Sequence, residues 1–299
     1  MAKYLNPKAD LTFKKVFGEH PDLVMSFLNA MLPFDKAEEE ITWIEYLNPE
    51  MVPVNPFRKD SIVDVRCRDK AGRLFIVEMQ MMWTSAYKQR VLFNASKAYV
   101  SQLGRGYDYE LLQPVYSLNL VNDTFSDSEY YYHDYRIVEI AETKEVIEGL
   151  RFIFVELPKF TPRNYGDKKM QVLWLRYLTE IGEDTRKVPD ELLANPEINK
   201  AVTQLEESAF DEDQLLGYEK FWDVVSTQKM QLSSTLRDGL ERGLKEGRKE
   251  GLKEGRKEGL KEGREQARYE MAVKMKSEGI AVETVSRVTG LSVDEISAL

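Results

Sequence analysis

The sequence predicts an α/β fold, in which a mixed β-sheet is flanked by helices and followed by an α-helical C-terminal extension. In the first half, the patterns succeed one another as strand, strand pair, helix and strand, which is the order expected of a layered α/β core. Beyond Pro158 the pattern becomes helical and acidic. The 299 residues are 42% hydrophobic and 11% aromatic, which supplies enough apolar material for a sizeable core.

Two helices and a strand come first. A helix is predicted over residues 11–18, and Asp10 is a candidate N-cap because a carboxylate there accepts hydrogen bonds from the free amides of the first turn. A second helix is predicted between Pro21 and Pro33. Residues 41–47 then predict a strand that leads toward a hairpin.

The hairpin is predicted over residues 62–80, where two alternating runs flank a short loop. Gly72 suits the left-handed position of a three-residue loop. Pairing Asp69 with Arg73 sets the register and places Asp64 opposite Glu78. Because side chains alternate along a strand, one face is apolar and belongs to the core: Val63, Val65, Cys67, Phe75, Val77 and Met79. The other face carries a more polar set: Asp64, Arg66, Ile76, Glu78 and Gln80.

Facing carboxylates on neighbouring strands repel each other, so Asp64 and Glu78 need an explanation. One explanation is a solvated sheet face with Arg66 as the counter-charge. The other is a divalent-metal site, because Mg²⁺ binds a few carboxylate oxygens while keeping several waters, and it stabilises charge on a scissile phosphate.

The motif formed by Asp64 and Glu78-Met79-Gln80 resembles the D…(D/E)xK core of the PD-(D/E)xK nuclease superfamily, with Gln80 in the lysine position. More closely, it resembles the Rpn family of recombination-promoting nucleases, which are also labelled transposases and in which E-x-Q is the familiar form. Further segments resemble family motifs in the same order: Asp10–Gly18, Tyr87–Arg90, Tyr99 to Tyr107, and Pro114–Leu118.

The resemblance implies a restriction-endonuclease-like core and a Mg²⁺-dependent DNA endonuclease, with Mn²⁺ as a substitute and double-stranded DNA as the substrate. Asp64, Glu78 and the main-chain carbonyl of Met79 would hold the metal. Gln80 would orient the attacking water or a phosphate oxygen, although an amide cannot take a proton as lysine can. The family also implies a link to recombination or mobile elements.

Three secondary candidates surround this motif. The resemblance makes Asp10 a second-tier metal ligand beside its N-cap role. Lys88 and Arg90 are candidate phosphate contacts, and Lys88 is a candidate substitute for the missing lysine. For both of these residues, an ordinary solvated helix face is the alternative.

The elements after the hairpin are predicted by periodicity. A long helix covers residues 84–103, with its apolar stripe formed by Leu92, Ala95, Tyr99 and Leu103. Strands follow over 115–122 and up to Leu157, starting at Ile137 or Arg151, and the tyrosines at 130–132 suit a strand edge. Helices are then predicted over 169–181, 197–208 and 214–229.

The C-terminal part contains an unusual repeat, in which glycine recurs at every fourth residue from Gly239 to Gly263 with Lys-Glu between. A charged, exposed helix acting as a spacer is predicted, and a close-packed glycine helix dimer is the alternative. The last segment predicts helix, turn and helix, with a capping box at Ser292–Glu295. Since residues 292–299 carry two acids and no base, an interaction or assembly tail is favoured over a DNA-reading helix.

These patterns divide the chain into four predicted segments. They are a nuclease-like domain at 1–160, an acidic helical extension at 161–235, the repeat spacer at 236–268 and a helical tail at 269–299. The C-terminal helices are candidate contacts for a homo-oligomer.

Composition limits the other function classes. A single cysteine, Cys67, excludes an intramolecular disulfide, and two histidines, His20 and His133, give no Cys/His zinc site or Ser-His-Asp triad. No signal peptide or long apolar run is evident, so a cytoplasmic protein without membrane contact is predicted.

The net charge of −9 is concentrated in residues 111–235, which carry 13 basic and 23 acidic residues. This acidity keeps open an alternative function, a catalytically weak or inactive interaction protein with a nuclease fold.

Overall fold

In the computed structural model, the described residues are 3–34, 36–51, 61–104, 106–162 and 169–299. The chain divides into two compact units, Met1–Thr227 and Gln228–Leu299. The strands among the described residues are β1 (Ile44–Tyr46), β2 (Glu50–Met51), β3 (Ser61–Ile62), β4 (Val65–Asp69), β5 (Leu74–Gln80), β6 (Val115–Val121), β7 (Tyr132–Val138) and β8 (Val146–Glu156). The helices are α1 (Asp10–Glu19), α2 (Pro21–Met31), α3 (Tyr87–Val100), α4 (Met170–Glu180), α5 (Asp190–Leu193), α6 (Pro196–Thr203), α7 (Glu212–Ser277), α8 (Val282–Thr289) and α9 (Val293–Ala298).

Six of the described strands form one mixed sheet in the order β1-β4-β5-β6-β8-β7. Strands β5, β6 and β8 run parallel, whereas β1, β4 and β7 pair with their neighbours in the antiparallel sense. Strands β2 and β3 form a separate two-stranded ribbon. This architecture confirms the predicted mixed α/β sheet with flanking helices.

Both faces of the sheet are covered by helices. On one face, apolar residues of β4, β5, β6 and β8 share a single core with α1, α2, α4 and α6. The aromatic rings of Phe17 and Phe27 lie 4.6 Å apart, and Phe17 also packs against Trp174 of α4 at 5.5 Å. On the opposite face, α3 packs its small residues Ala95 and Ala98 against β5 and β6.

The predicted hairpin register is confirmed. Val65 pairs with Val77 and Cys67 with Phe75, which is the register that follows from pairing Asp69 with Arg73. The predicted core face is also confirmed from Val65 onward. Val63 is the exception, since it packs in the cluster on the α3 side because the chain bends at Asp64, immediately before β4 begins.

Helix α3 is shorter than predicted, and it is rotated relative to the predicted apolar stripe. Leu92, assigned to that stripe, is 50% exposed. The buried residues of α3 are Tyr87, Val91, Asn94, Ala95 and Ala98. The predicted stripe was right for the buried Ala95 and for Tyr99, which packs against the same cluster, and wrong for Leu92, because the prediction counted hydrophobicity alone. The face toward the sheet uses small alanines for close approach, and its two polar side chains form hydrogen bonds with sheet residues.

The strands and helices after α3 follow the prediction with shifted bounds. The predicted tyrosine edge is confirmed for Tyr132, which begins the edge strand β7, whereas Tyr130 and Tyr131 precede the strand. The bounds of β8 extend to Val146, and Tyr132–Val138 forms a strand of its own. Helices α4 and α6 contribute to the main core beside α2. The boundary at residue 160 itself stays a prediction.

In the second unit, the glycine repeat is helical and its side chains are exposed, as predicted. The chain then turns through Gly279 into α8 and through Gly290, with φ of +71°, into α9. The predicted capping box is confirmed: the Ser292 hydroxyl accepts a hydrogen bond from the Glu295 amide, and the Glu295 carboxylate accepts one from the Ser292 amide. A small core unites the end of α7 with α8 and α9: Ala272, Val285, Leu291 and Ile296.

Candidate active site

The hairpin of β4 and β5 brings Asp64 and Glu78 together. Its loop is fixed by Gly72, with φ of +88°, and by Asp69, whose carboxylate accepts hydrogen bonds from the Arg73 amide and Nε at 2.8 and 2.6 Å. At the other end, the main-chain amide of Met79 donates a 2.7 Å hydrogen bond to Asp64 Oδ2. The carboxylate of Asp64 is therefore fixed against the strand that carries Glu78.

The surroundings of both carboxylates disfavour their ionised forms. Burial raises the pKa of Asp64 to about 6, and the nearby negative charges of Glu78 and Asp10 add to this, although the hydrogen bond from Met79 opposes it. Burial also raises the pKa of Glu78, which is 5% exposed, against the lowering effects of Asn94 and Arg90. A half-buried and a buried carboxylate that repel each other favour the binding of a cation.

Helix α3 supplies the side chains that contact Glu78. Asn94 Nδ2 donates a 2.9 Å hydrogen bond to Glu78 Oε1, and Arg90 Nη2 lies 3.5 Å from Glu78 Oε2. Arg90 also stacks its guanidinium over the Tyr87 ring, 4.7 Å from the ring centroid. The Tyr87 hydroxyl in turn donates to the buried Asn119 of β6 at 3.3 Å. A network of α3 residues thus orients the one carboxylate that projects from β5.

Gln80 is oriented by two hydrogen bonds. Its Nε2 donates to the Met82 carbonyl at 2.6 Å, and its Oε1 accepts from Arg90 Nη2 at 2.5 Å. Arg90 Nη2 contacts both Gln80 and Glu78. Gln80, which occupies the lysine position of the motif, therefore holds the Arg90 guanidinium beside the carboxylates. The structure therefore brings Asp64, Glu78, Gln80 and Arg90 together.

The remaining two candidates lie differently. Asp10 is the first residue of α1 and does not cap it; its carboxylate forms a 2.7 Å ion pair with Lys14, and its charge still acts on Asp64. Lys88 contacts a separate aromatic group, with Nζ 3.3 Å from the Tyr135 hydroxyl and 5.1 Å from the centroid of Phe125. Lys88 and Arg90 are two residues apart and so point to different sides of α3.

The donor set suits a hard divalent cation that keeps its own waters. Asp64 and Glu78 offer carboxylate oxygens, and a ligand from the Met79 carbonyl would complete the protein's share. Within the described residues, there is no cluster of three or more Asp, Glu, His or Cys side chains able to hold a metal. Mg²⁺ is commonly bound by one or two carboxylates with waters and substrate phosphates, so a two-carboxylate site fits such an ion.

Comparison with known families identifies two matches in this chain. The sequence model of the PD-(D/E)XK nuclease family transposases matches residues 7–234. The chain belongs to this nuclease family. The model of the C-terminal HTH domain of the Rpn/YhgA-like nuclease family matches residues 265–299, so the C-terminal helices form a domain of the helix-turn-helix class. No curated protein and no solved structure gives a significant match.

Family membership assigns the chain to the nucleases, which typically use divalent metal ions. The match of the C-terminal domain suggests DNA binding, whereas the assembly role preferred from the sequence stays a prediction. Within the described part of the chain, no helix is both long and apolar enough to cross a membrane.

The sequence did not assign the supporting roles of Tyr87, Asn94 and Asn119. Tyr87, Arg90 and Asn94 recur at three- and four-residue spacing, which places them on one helix face. That spacing was visible, but their partners depend on how α3 is rotated against the sheet. Asn119 offered a second signal, since it is a polar residue in an otherwise apolar strand.

Proposed function

We propose that this protein is a Mg²⁺-dependent endonuclease that hydrolyses phosphodiester bonds of double-stranded DNA, with Mn²⁺ able to replace Mg²⁺. The proposal rests chiefly on the pairing of two carboxylates, the half-buried Asp64 and the buried Glu78, at one end of the β4–β5 hairpin. Its recombination or mobile-element context is proposed from the description of the family.

Each residue has a proposed role. Asp64, Glu78 and the Met79 carbonyl hold the metal ion. A bound divalent cation supplies charge neutralisation at the scissile phosphate and makes water more acidic. Asn94 keeps Glu78 in position through its hydrogen bond to Oε1. Arg90, held by Gln80, stabilises the negative charge that develops on the phosphate.

Gln80 contributes by position rather than by proton transfer. An amide neither accepts nor releases a proton near neutral pH, so Gln80 cannot act as a general base. Its oxygen holds Arg90, while its remaining hydrogen-bonding capacity serves to orient the attacking water or a phosphate oxygen. Asp10 is a secondary contributor, through its charge beside Asp64.

The test is cleavage of a supercoiled plasmid with Mg²⁺, Mn²⁺, Ca²⁺ or EDTA. It compares the parent protein with Asp64→Asn and Glu78→Gln, which keep side-chain shape and remove charge. Glu45→Gln is the matched control, because Glu45 is an exposed carboxylate on β1 of the same sheet. We expect cutting that requires Mg²⁺ or Mn²⁺, is lost in both site variants and is kept in the control.

Cutting that persists in Asp64→Asn and Glu78→Gln would reject this active site. An absence of cutting under every condition, together with no Mn²⁺ binding by calorimetry, would instead favour a non-catalytic interaction protein. The net charge of −9 is the observation that supports this second function, because DNA-binding proteins usually present basic surfaces.

A further inference from the structure

Arg66 lies on the same face of the hairpin as Glu78, the face toward α3. It pairs across the ladder with Ile76, which packs on the α3 side of the sheet. Asp64, at the bend just before β4, is two residues away along the chain, a separation of at most roughly 7 Å. Glu78 is its diagonal neighbour on β5, at about 7–8 Å. The backbone of Arg66 therefore lies within about two residue spacings of both carboxylates.

The hydrogen bonds of this guanidinium are incomplete. Its Nη1 donates only a long, 3.4 Å bond to the Asn48 carbonyl, and its Nε is buried without a hydrogen-bond partner. No ion pair of Arg66 occurs among the described residues. Burial lowers the pKa of Arg66, and the neighbouring Arg68 lowers it further. A partly desolvated cation with free donors calls for an anion.

The nearby carboxylates do not supply that anion. Asp64 accepts from the Met79 amide, and Glu78 is held by Asn94 and Arg90. Other arginines of this hairpin do have carboxylate partners. Arg68 pairs with Glu45 at 2.6 Å, and Arg73 pairs with Asp69 at 2.6 Å. Arg66 thus differs from its neighbours on the hairpin in having no acidic partner among the described residues, while its buried Nε lacks a hydrogen bond.

We infer that Arg66 binds a backbone phosphate of the nucleic acid, next to the phosphate that lies at the carboxylates. This inference rests on the proposed nuclease function and names a substrate contact of the same site. A guanidinium presents a planar set of donors that matches two phosphate oxygens. A divalent ion balances the charges of Asp64 and Glu78, which leaves the charge of Arg66 to balance a substrate phosphate.

The test measures DNA binding separately from cutting. A labelled duplex is titrated in EDTA over a series of salt concentrations, using Arg66→Gln, Arg66→Lys and the control Arg68→Gln in the full chain. Arg68 is the matched control because it lies on the same strand and already has a carboxylate partner. Thermal unfolding of each variant checks that the fold is kept.

We expect Arg66→Gln to weaken binding on the order of 10-fold and to reduce the slope of log K against log salt by about 1. Arg66→Lys should keep the slope and lose part of the affinity, because an ammonium cannot bind two oxygens in a fork. Thermal stability should stay the same or rise in Arg66→Gln. A merely structural arginine would instead lower it.

The inference is overturned if Arg66→Gln matches Arg68→Gln in affinity and in salt slope. It is also overturned if Arg66→Gln unfolds while Arg66→Lys behaves as the parent protein in both affinity and slope. The outcome is separable from the proposed function. A reduced salt slope in Arg66→Gln supports the phosphate contact even if Asp64→Asn and Glu78→Gln still cut DNA. If the parent protein cuts DNA but Arg66→Gln binds like the parent, only this inference is removed.

Discussion

At the scale of single residues, the site is built from groups that are costly to bury. Glu78 is a buried carboxylate on β5 and Asp64 a half-buried one just before β4, and the raised pKa values of both reflect that cost. The fold offsets part of it with directed hydrogen bonds from Met79 and Asn94. Stability sacrificed in this way is a common signature of functional sites.

The first prediction follows from the sign of the Asp64 shift. Because its pKa is raised from 3.8 to about 6, the folded state favours the protonated form. The preference of the folded state for protonated Asp64 therefore supports stability below about pH 4, and this support is lost as pH rises through 6. We therefore expect Asp64→Asn to raise the free energy of unfolding above pH 7 in EDTA, by up to roughly 3 kcal/mol. The gain should shrink toward pH 4.

Thermal unfolding at both pH values measures this effect, and Glu45→Gln is the control with no expected change. Added Mg²⁺ should stabilise the parent protein more than Asp64→Asn, because only a ligand that binds the folded site shifts the equilibrium. A variant that is less stable than the parent at pH 7 and above would contradict the electrostatic account.

The second prediction concerns Asn94. Replacing it with leucine removes the 2.9 Å hydrogen bond to Glu78, so that carboxylate is less well held. Since hydrogen bonds to charged groups contribute about 1.5–3 kcal/mol, we expect Mn²⁺ affinity and cleavage rate each to fall on the order of 10-fold or more. Calorimetry and plasmid cleavage measure the two quantities. Gln89→Leu, at an exposed position of the same helix, should leave both unchanged.

These residue contacts show what sequence alone can predict at a site. The convergence of Asp64, Glu78 and Gln80 followed from strand alternation and one turn, both of which are short-range rules. The different surroundings of Lys88 and Arg90 did not follow. They depend on the rotation of α3 against the sheet, which is decided by small residues such as Ala95 and Ala98 packing on β5 and β6.

At the scale of elements, the same contrast holds. Strands with clear alternation, such as β5 and β6, were predicted nearly to the residue. Strand β7 was not, because most of its residues are exposed at the sheet edge and carry no apolar period. Helix α7 was predicted only in parts, since its repeated glycines each disfavour helix by about 1 kcal/mol. The structure nevertheless keeps it helical from Glu212 to Ser277.

The glycines of α7 give the third prediction. A Cβ added at Gly247, Gly251 or Gly255 would meet nothing within 4 Å, so alanine fits each position. We expect the triple alanine substitution to stabilise this part of the helix by about 1 kcal/mol per position. On heating, the variant should therefore keep more of its helical circular dichroism signal than the parent protein. Its oligomeric state by light scattering should be unchanged. A loss of self-association would support the close-packed glycine dimer that the sequence left as an alternative.

At the scale of the whole molecule, the candidate active site and the match to a helix-turn-helix domain lie in different units. The candidate catalytic residues Asp64, Glu78 and Gln80 lie in Met1–Thr227, while the helix-turn-helix match at 265–299 lies in Gln228–Leu299. The last helix carries Asp294 and Glu295 and no basic residue. Any DNA contact by this unit must therefore draw on basic residues outside α9, such as the exposed Arg287 of α8.

The fourth prediction separates the two units by function. Ending the chain after residue 264 removes the matched C-terminal domain and leaves the candidate site intact. Because linking two binding modules raises apparent affinity by 10² to 10⁴, we expect the shortened chain to bind DNA at least roughly 10-fold more weakly. Its cleavage rate at saturating DNA should remain that of the parent, so KM rises while kcat is kept. Anisotropy and plasmid cleavage over a range of DNA concentrations measure both. Equal binding by the two chains would exclude DNA contact by the C-terminal domain, whereas a fall in kcat alone would mean that this domain acts on the chemical step itself.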